Sequence, residues 1–343
     1  MKSLIYGYGI TGKSFERYLK KKKVAYDIFD QNIPEYSIKL DLNNYKNILC
    51  SPGINADEFD HLQASNKVLT DVDIFFEEDN SIKIGITGTN GKSTTCFHLA
   101  QLLKQEFGVN LIGNFGNPVL DDINNGNEYS IIELSSFQLH KMKKNKLDFG
   151  VLLNIEPDHL DYHKDFLSYK AAKERILSAN KSSQENDPYL LFEWITKRKC
   201  KKTKLKNLPY RYQFISKNII NDSKSTNTSS LKYAISNANM FFQDDYILIC
   251  CGDPKKENFP KLEISGPAKI LIYGNHAKQI DACISHPNKN LFDDANLLLE
   301  YLQNKSIFSN ILFSPGFPSG LDYKNFEERG DDFNNLIYNL KNE

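Results

Sequence analysis

The stretch Ile84-Gly-Ile-Thr-Gly-Thr-Asn-Gly-Lys-Ser-Thr94 indicates the fold class of this chain more clearly than any other segment. It begins inside a short apolar run, residues 82–86, that is typical of a buried strand, and it leads into a segment with helical character that extends to about residue 107. Strand, glycine-rich loop and helix in this order can bind phosphate, because loop N–H groups and the helix N-terminus both attract phosphate oxygens. The sequence therefore predicts an α/β domain with a nucleotide site at this loop.

Three side chains of this loop have distinct expected roles. Lys92 would reach the β- and γ-phosphates, and the hydroxyl of Ser93 or Thr94 would hold Mg²⁺. The spacing differs from the usual phosphate-binding loop, because Ile86 stands five positions before Gly91 and the glycine lies one residue further back. The residues predicted to bind ATP here are Gly88, Thr89, Asn90, Gly91, Lys92, Ser93 and Thr94.

A second glycine-rich loop lies near the amino terminus. The segment Gly7-Tyr-Gly-Ile-Thr-Gly12 stands between a predicted strand, residues 3–6, and a predicted helix, residues 12–22, and Asp30 ends the next strand. Glycines in this pattern let a pyrophosphate approach the backbone, and the acidic residue can bind a ribose hydroxyl. NAD, FAD and UDP-sugars all carry a pyrophosphate, so the motif leaves the nucleotide open. A glycine turn that only packs the helix on the strand is the alternative.

Composition restricts the class of protein. The chain has 343 residues with 43 Lys plus Arg and 43 Asp plus Glu, and this balance argues against a dedicated nucleic-acid binder. Six cysteines without a C-x-x-C pair indicate reduced thiols rather than a zinc site or a disulfide framework. We expect a cytoplasmic protein without a signal peptide or membrane span. The basic run at 197–206 lacks interleaved aromatics, so we interpret it as a solvated helix or loop rather than a nucleic-acid contact.

Short apolar runs alternate with amphipathic segments along most of the chain, which predicts α/β layers. The length suits two or three domains, and we place the boundaries so that the domains are residues 1–81, 82–207 and 208–343. The acidic segment 77–81 is interpreted as a linker, and residues 182–209 are polar and weakly patterned. Further strands are predicted at residues 25–29, 47–50, 130–134, 149–154, 215–220, 246–250, 269–273 and 310–313.

Several segments resemble the Mur ligases and the related folylpolyglutamate synthases. GITGTNGKST at 85–94 is similar to the ATP loop of both groups, and ELSSFQL at 133–139 resembles the signature of the Mur ligases that add D-glutamate. The amino-terminal GYGITG also favours that branch over the folylpolyglutamate synthases, whose first domain differs. Four more segments resemble this branch in the same order along the chain: residues 154–161, 169–176, 221–227 and 314–330.

The resemblance implies an architecture of three domains and a reaction. A Rossmann-like first domain would bind a UDP-linked substrate, a central P-loop ATPase domain would bind ATP, and a Rossmann-like third domain would bring D-glutamate. The implied enzyme is a monomeric cytoplasmic ATP-dependent ligase that adds D-glutamate to UDP-N-acetylmuramoyl-L-alanine through an acyl phosphate. It would serve peptidoglycan synthesis, and with it cell-wall biogenesis, cell shape and cell division. The central domain is shortened, because only about 35 residues separate Ile176 from Arg211 and the family's Gly-x-His-Asn motif is absent.

The resemblance also assigns roles to individual residues of this sequence. Lys173 falls where the family carries a carbamylated lysine, which would supply oxygen to the second of two Mg²⁺ ions. The implied catalytic residues are Lys92, Glu133, His159 and Lys173. The implied metal ligands are Ser93, Thr94, Glu133, His159 and Lys173. Additional ATP contacts would come from Arg211, Asp222 and Lys255. The UDP-linked substrate would contact Gly9, Ile10, Thr11, Asp30, Gly53, Asn114 and Gln138. D-Glutamate would contact Lys224, Thr226, Ser319, Leu321 and Phe326.

Without the resemblance, several of these residues have simpler interpretations. Glu133 could be a solvent-exposed carboxylate at a strand end, and Lys173 could be a lysine on a helix surface. His159 and His163 stand four residues apart, as in some zinc sites, although His163 is interpreted as an ordinary polar residue. Leu321 and Phe326, which the resemblance assigns to D-glutamate, could be core residues.

Two other classes of protein remain as alternatives. A nicotinamide oxidoreductase would use only the first glycine loop and would leave the Lys92 loop unexplained. A non-catalytic nucleotide-binding protein derived from a Mur ligase would be consistent with the short central domain.

Overall fold

The chain forms two compact units, Met1–Lys206 and Asn207–Glu343. The computed structural model describes residues 2–37, 39–64, 67–254, 261–304 and 310–342. The α/β class is confirmed, because each unit contains parallel sheets with helices between successive strands. None of the helices in these described ranges has the length and apolar character needed to span a bilayer.

The first unit contains two parallel sheets. Its strands are β1 Lys2–Tyr6, β2 Tyr26–Phe29, β3 Tyr45–Cys50, β4 Val68–Leu69, β5 Ile82–Thr87, β6 Val109–Gly113, β7 Tyr129–Glu133, β8 Phe149–Leu152 and β9 Lys181–Ser183. Its α-helices are α1 Ile10–Lys22, α2 Ala56–Gln63, α3 Asp71–Glu78, α4 Lys92–Leu103, α5 Ser136–Lys141, α6 Leu160–His163, α7 Phe166–Glu174 and α8 Pro188–Thr196. The first sheet has the order β2-β1-β3-β4 and the second has the order β6-β7-β5-β8-β9.

The register of the five-stranded sheet brings several strand ends to one edge. Glu133 at the end of β7 pairs with Gly113 of β6 on one side and with Ile86 of β5 on the other. Thr87 of β5 pairs with Leu152, the last residue of β8. Because ligands of parallel α/β sheets bind beyond the carboxyl ends of the strands, this edge is where a site is expected.

The two sheets of the first unit share one apolar core. Phe15 and Leu19 of α1 and Phe75 of α3 belong to the same buried cluster as Leu120 and Leu139, which lie beside the second sheet. Burial of this kind is the main favourable contribution to folding, so the two halves of the unit stabilise each other.

Hydrogen bonds reinforce this shared core. The Ser14 hydroxyl, which is fully buried, donates to Asp121 Oδ1 at 2.8 Å, and Arg17 donates to both carboxylate oxygens of Asp121 at 3.0 and 2.6 Å. The polar contacts therefore connect α1 to the segment that precedes β7.

The segment predicted to be a linker, residues 77–81, is packed rather than loose. Its first half completes α3, and Asp79 and Ser81 are buried. The Ser81 amide donates to Asp79 Oδ1 at 2.8 Å, and Lys83 Nζ donates to the carbonyl oxygens of Asp79 and Ser81 at 2.7 and 2.9 Å. These local hydrogen bonds satisfy the polar groups of a short acidic segment inside the protein.

The polar stretch 182–209 contains a helix, α8, that the sequence analysis did not assign. Asp187 caps its N-terminus by accepting hydrogen bonds from the amides of Tyr189 and Leu190, and Pro188 occupies the first turn. Leu191, Phe192 and Ile195 are buried against α4 and β8. The basic run that follows has no regular secondary structure between Lys201 and Leu208, in agreement with the loop interpretation.

The second unit contains a six-stranded sheet and a short two-stranded one. Its strands are β10 Gln213–Ser216, β11 Ile219–Asn221, β12 Tyr246–Cys251, β13 Leu262–Glu263, β14 Lys269–Tyr273, β15 Ile284–Ser285, β16 Lys289–Phe292 and β17 Asn310–Gly316. Its α-helices are α9 Thr228–Phe241, α10 Ala277–Cys283, α11 Ala295–Asn304 and α12 Phe326–Asn342. The large sheet has the order β10-β11-β17-β12-β14-β16, and only β10 runs antiparallel to its neighbour.

The single strand predicted at residues 215–220 is wrong. The structure has two strands here, β10 and β11, which pair antiparallel around a turn at Lys217 and Asn218. Asn is favoured in two-residue hairpin turns, and this signal was hidden between the flanking isoleucines.

Candidate active site

The loop between β5 and α4 has the backbone geometry expected of a phosphate site. Gly91 precedes the first residue of α4 with a φ angle of 83°, a conformation that favours glycine. The amide of Thr89 donates to the carbonyl oxygen of Asn154 at 2.9 Å, and the amide of Asn90 donates to Asn154 Oδ1 at 2.9 Å. Residues after β8 therefore hold the loop in place.

Tyr169 of α7 adds a second anchor for the loop. Its hydroxyl lies 2.9 Å from Thr89 Oγ1, which also accepts a hydrogen bond from the amide of Glu156 at 3.0 Å. The predicted segments 85–94, 154–161 and 169–176 are thus brought together around Thr89.

Two lysines converge on the carbonyl oxygen of Gly88. Lys92 Nζ donates to Gly88 O at 2.8 Å and to Thr89 O at 2.9 Å, and Lys173 Nζ donates to Gly88 O at 2.7 Å. Lys173 is 2% exposed, so it is not the helix-surface lysine of the simpler interpretation. Burial, and next the charge of Lys92, lower the pKa of Lys173 to about 6, which leaves a neutral amine at pH 7.

Glu133 is buried at the end of β7 rather than exposed to solvent. Its Oε1 accepts a hydrogen bond from Asn114 Nδ2 at 2.8 Å. Its Oε2 is buried and has no hydrogen-bond partner among the described residues. A buried carboxylate oxygen without a donor is suited to a cation, because Mg²⁺ prefers oxygen ligands.

The remaining predicted metal ligands lie nearby on α4 and before α6. Ser93 is buried in the first turn of α4, next to Thr94. His159 has a φ angle of 52°, its ring centroid lies 5.0 Å from that of Phe137, and its side chain is half-exposed. Within the described ranges no group of three or more His, Cys, Asp or Glu residues is placed to hold a metal ion. A metal here would therefore also need hydroxyl and phosphate oxygens, as Mg²⁺ sites on nucleotides do.

His163 has a packing role in the structure. It is buried, and its ring lies 5.8 Å from Phe137, 4.7 Å from Tyr162 and 5.3 Å from Tyr169 between centroids.

The first glycine loop is shaped by Asp30 and by close packing. A Cβ on Gly12 would lie 2.2 Å from the carbonyl oxygen of Gly7, so only glycine fits there. Asp30 Oδ2 accepts a hydrogen bond from the Tyr8 amide at 2.7 Å, and Oδ1 accepts one from the Asn32 amide at 2.9 Å. Asp30 therefore organises the loop in addition to its predicted ligand role.

The other residues predicted for the UDP-linked substrate are spread over the first unit. Gly9 caps α1, and Ile10, which follows it, is 77% exposed beside the partly buried Thr11. Gly53 is exposed in the turn between β3 and α2. Gln138 is buried and its Oε1 accepts a hydrogen bond from the Ser135 amide at 3.0 Å, so it forms the capping box of α5.

The second unit carries the residues predicted for D-glutamate and part of those predicted for ATP. Lys224 Nζ lies 4.1 Å from the ring centroid of Phe326, and the guanidinium carbon of Arg211 lies 5.9 Å from the same centroid. Leu321 is 92% exposed, so it is not a core residue. Thr226 and Ser319 are partly buried. Lys255 lies outside the described residues.

Asp222 has its carboxylate engaged within the second unit. Its Oδ1 accepts a hydrogen bond from the Tyr212 amide at 2.9 Å, and its Oδ2 accepts one from the Ser314 hydroxyl at 3.0 Å. Burial raises the pKa of Asp222 to about 7 despite these bonds. These contacts indicate that Asp222 shapes the turn after β11.

The burial of Arg329 and of Lys141 was not predicted from the sequence. Arg329 is fully buried and donates to the carbonyl oxygens of Phe317 and Ser223 at 2.9 and 2.7 Å. Lys141, at the end of α5, is also buried. No local pattern distinguishes either residue from an exposed helix cation, although Arg329 belongs to the segment 314–330 that carried the family resemblance.

Comparison with known proteins agrees with the fold and the phosphate loop. Residues 86–243 match the family model of the Mur ligase middle domain. The UDP-N-acetylmuramoylalanine–D-glutamate ligase of Francisella tularensis subsp. tularensis strain WY96-3418 is 27% identical over 407 aligned positions, which cover 99% of this chain and 96% of that protein. Because this chain has 343 residues, the relative contains segments that the chain lacks, as expected for a shortened protein.

Solved structures share the fold along the chain. The MurF ligase of Thermotoga maritima in complex with ADP has a TM-score of 0.61 and 13% identity, and the match covers 98% of this chain and 94% of that one. A pseudomurein peptide ligase type C from Methanothermus fervidus has a TM-score of 0.56 and 14% identity, with 99% and 100% covered. The central part of the chain is therefore similar to the middle domain of the Mur ligases. Over its whole length, the chain is similar to curated D-glutamate ligases.

Proposed function

We propose that the chain is an ATP-dependent ligase that joins D-glutamate to UDP-N-acetylmuramoyl-L-alanine in peptidoglycan synthesis. The observation that carries the proposal is the arrangement of Lys92 and Lys173 on the Gly88 carbonyl beside a buried Glu133 with an unpartnered oxygen. The similarity to D-glutamate ligases supports the choice of substrates. We further propose that the enzyme is a cytoplasmic monomer.

The reaction has two steps with balanced bonds. A carboxylate oxygen of UDP-N-acetylmuramoyl-L-alanine attacks the γ-phosphorus of ATP, and the bond to the bridging oxygen of ADP breaks. The amine of D-glutamate then attacks the acyl carbon, inorganic phosphate leaves, and the nitrogen loses a proton to give the amide. Both steps depend on positioning and on neutralising negative charge, so a loop rich in N–H donors and a lysine suits them.

Lys92 would act by exchanging its hydrogen-bond acceptors. In the structure its ammonium group is held by the carbonyl oxygens of Gly88 and Thr89. Phosphate oxygens carry full negative charge and form stronger hydrogen bonds with an ammonium group than backbone carbonyls do. We therefore expect Lys92 to turn from these carbonyls to the β- and γ-phosphates.

Lys173 has the properties needed for carbamylation. Its pKa of about 6 means that Nζ carries a lone pair at neutral pH. That lone pair can form a bond to the carbon of CO₂ with loss of one proton, which replaces a buried neutral amine by an anion. Two magnesium ions, once bound, would neutralise the charge that develops on the phosphates. Ser93 or Thr94, Glu133 Oε2, His159 and the carbamate on Lys173 are the groups that would hold them.

The residues assigned to the other substrates complete the proposal. Gly9, Ile10, Thr11, Asp30 and Gly53 would contact the UDP part, and Asn114 and Gln138 would contact the muramoyl-alanine part. Lys224, Thr226, Ser319, Leu321 and Phe326 would contact D-glutamate, and Arg211, Asp222 and Lys255 would contact ATP. A nicotinamide oxidoreductase would leave the Lys92 and Lys173 arrangement without a role, so we do not propose it.

Phosphate release tests the proposal. Purified protein is incubated with ATP, Mg²⁺, UDP-N-acetylmuramoyl-L-alanine and D-glutamate, and each component is omitted in turn. We expect release only when all components are present. Release that is independent of D-glutamate, or no release from the complete mixture, would contradict the proposal.

A further inference from the structure

Lys141 connects the two halves of the first unit through hydrogen bonds to backbone carbonyls. It is the last residue of α5 and is 1% exposed. Its Nζ donates to the carbonyl oxygen of Pro52 at 2.6 Å and also to the carbonyl oxygen of Ile54. These two carbonyls flank Gly53 in the turn between β3 and α2. A helix side chain from the half that contains the second sheet therefore holds a turn at the edge of the first sheet.

The same turn is attached to the first glycine loop. Ser51 Oγ donates to the carbonyl oxygen of Gly7 at 2.7 Å, and the Ser51 amide donates to the carbonyl oxygen of Tyr6 at 3.0 Å. Inside the turn, the Ile54 amide donates to the carbonyl oxygen of Ser51 at 3.3 Å. The turn is thus held on one side by the first glycine loop and on the other by Lys141.

Peptide geometry determines where the Gly53 amide points. In a trans peptide the C=O and N–H groups point in opposite directions, so a Pro52 carbonyl that faces Lys141 directs the Gly53 N–H away from it. Gly53 is exposed, and a Cβ added there would meet no atom within 4 Å, so there is open space beside it. An ammonium group bound to the carbonyl end polarises the peptide and makes its N–H a stronger donor to an anion.

We propose that Lys141 is a positioning residue for the UDP-linked substrate, because it orients and polarises the Gly53 peptide toward the negatively charged pyrophosphate. The inference rests on the proposed function, which assigns Gly53 to that substrate. Lys141 itself does not touch the ligand in this scheme.

The surroundings of Lys141 indicate that burial of its ammonium group costs free energy. Its Nζ lies 5.6 Å from the ring centroid of Phe59 and 5.3 Å from that of Tyr162. Burial lowers the pKa of Lys141 to about 8. A buried ionisable group with a shifted pKa is more frequent at functional positions than elsewhere.

Lys83 provides a matched control inside the same unit. It is 7% exposed, and its Nζ donates to the carbonyl oxygens of Asp79 and Ser81, which flank a single residue just as Pro52 and Ile54 do. Its Nζ also lies over an aromatic ring, 5.8 Å from the centroid of Phe75. Lys83 is near the start of β5, at the opposite end from the phosphate loop, and it has no assigned part in binding or catalysis.

The experiment compares Lys141→Met with Lys83→Met. Binding of UDP-N-acetylmuramoyl-L-alanine is measured by titration calorimetry, and kcat and KM are measured for each substrate alongside thermal melting. Both variants should lose thermal stability. We expect Lys141→Met to weaken binding of the UDP-linked substrate about tenfold with KM values for ATP and D-glutamate unchanged. Lys83→Met should bind the UDP-linked substrate like the wild type. Equal binding by Lys141→Met and Lys83→Met would overturn the inference.

A second pair of variants keeps the inference testable if Lys141→Met does not fold. Gly53→Pro removes the amide hydrogen that Lys141 is proposed to orient, whereas Gly53→Ala retains it. We expect Gly53→Pro to bind the UDP-linked substrate more weakly than Gly53→Ala, and equal binding would contradict the role of the amide. If the wild type itself does not bind this substrate, the proposed function fails and the inference fails with it. If the wild type binds and these variants do not differ, only the inference fails.

Discussion

Lys92 and Lys173 donate hydrogen bonds to the same acceptor, the carbonyl oxygen of Gly88, at 2.8 and 2.7 Å. Burial of Lys173, and next its repulsion from the Lys92 ammonium group, lower the pKa of Lys173 to about 6. The arrangement places a cation that can bind phosphate, Lys92, beside a neutral amine that can react with CO₂, Lys173.

The first prediction concerns Lys173. In Lys173→Ala the carbamate cannot form, so we expect kcat for phosphate release to fall by about a hundredfold or more, the range found when one transition-state contact is lost. The substitution also leaves a cavity that a small carboxylate can enter. Added acetate or formate should therefore restore part of the activity, as measured by phosphate release.

Lys170 supplies the control for that prediction. It is on the same helix, but it is exposed and lies 3.7 Å from Glu174 in an ion pair. Exposed pairs of this kind contribute little, so Lys170→Ala should retain its kcat. A wild-type kcat in Lys173→Ala would contradict the role assigned to Lys173.

The second prediction concerns the unpartnered oxygen of Glu133. Glu133→Gln removes a buried negative charge while its Oε1 can still accept the hydrogen bond from Asn114. In the absence of Mg²⁺ and ATP the variant should be at least as stable as the wild type, because a buried charge without a partner is costly. Magnesium and ATP together should raise the Tm of the wild type more than that of the variant. Equal increases in Tm would show that Glu133 does not bind the metal.

The third prediction uses the buried carboxylate of Asp71. It is 3% exposed, its Oδ1 accepts a hydrogen bond from the Val72 amide at 3.0 Å, and burial raises its pKa from 3.8 to about 6. Between these two values the folded state binds more protons than the unfolded state, so stability falls as the pH rises from 4 to 6. Above pH 6 the Asp71 carboxylate is charged in the folded state, so stability is lowered by the full free-energy cost of burying that charge.

Asp71→Asn tests this because its amide oxygen can keep the Val72 hydrogen bond without a charge. The variant should melt at a higher temperature than the wild type at pH 7, and the difference should shrink toward zero near pH 4. Thermal melting at several pH values measures it. A difference in Tm that is the same at pH 4 and pH 7 would contradict the assignment.

The fold was predictable wherever the signal was local. Apolar runs marked β5, β7 and β8, and because these strands are parallel, their ends had to meet at one edge, which placed Glu133 beside the loop of Lys92. The resemblance assigned Lys173 to the second Mg²⁺, and in the structure its Nζ donates a hydrogen bond to the Gly88 carbonyl of this loop.

The buried cations were not predictable because their partners are distant in sequence. Lys141 bonds to a turn 87 to 89 residues earlier, and Arg329 bonds to Ser223, 106 residues earlier. The residues next to Lys141 and Arg329 in the sequence are of the kinds that also surround exposed helix cations. Helix α8 was missed for a different reason, since its capping signal at Asp187 and Pro188 stands inside a polar stretch.

The fourth prediction follows from the contacts of Arg329. Its guanidinium group donates to the carbonyl oxygens of Ser223 and Phe317 and to the Ser223 hydroxyl, and so joins the two loops that carry the predicted D-glutamate residues. Arg329→Met would leave these buried acceptors without donors, which should lower the free energy of unfolding of the second unit by about 3 kcal/mol. Urea unfolding measures the loss.

Arg198→Met, in the first unit, is the control for the loss of an exposed arginine. Arg198 is exposed and pairs with Glu106 at 2.9 Å, so its removal should change the free energy of unfolding by about 0.5 kcal/mol or less. If the two variants lose the same free energy of unfolding, the three hydrogen bonds of Arg329 do not stabilise the protein as predicted.

The formation of the amide product is the most direct test of the proposed ligase. The protein is incubated with ATP, Mg²⁺, UDP-N-acetylmuramoyl-L-alanine and either D- or L-glutamate. The amide product is quantified by mass spectrometry, and phosphate release is measured in the same samples. We predict one UDP-N-acetylmuramoyl-L-alanyl-D-glutamate for each phosphate with D-glutamate, far less product with L-glutamate, and none in Lys92→Ala. Phosphate release without the amide, or a product that persists in Lys92→Ala, would contradict the proposed function.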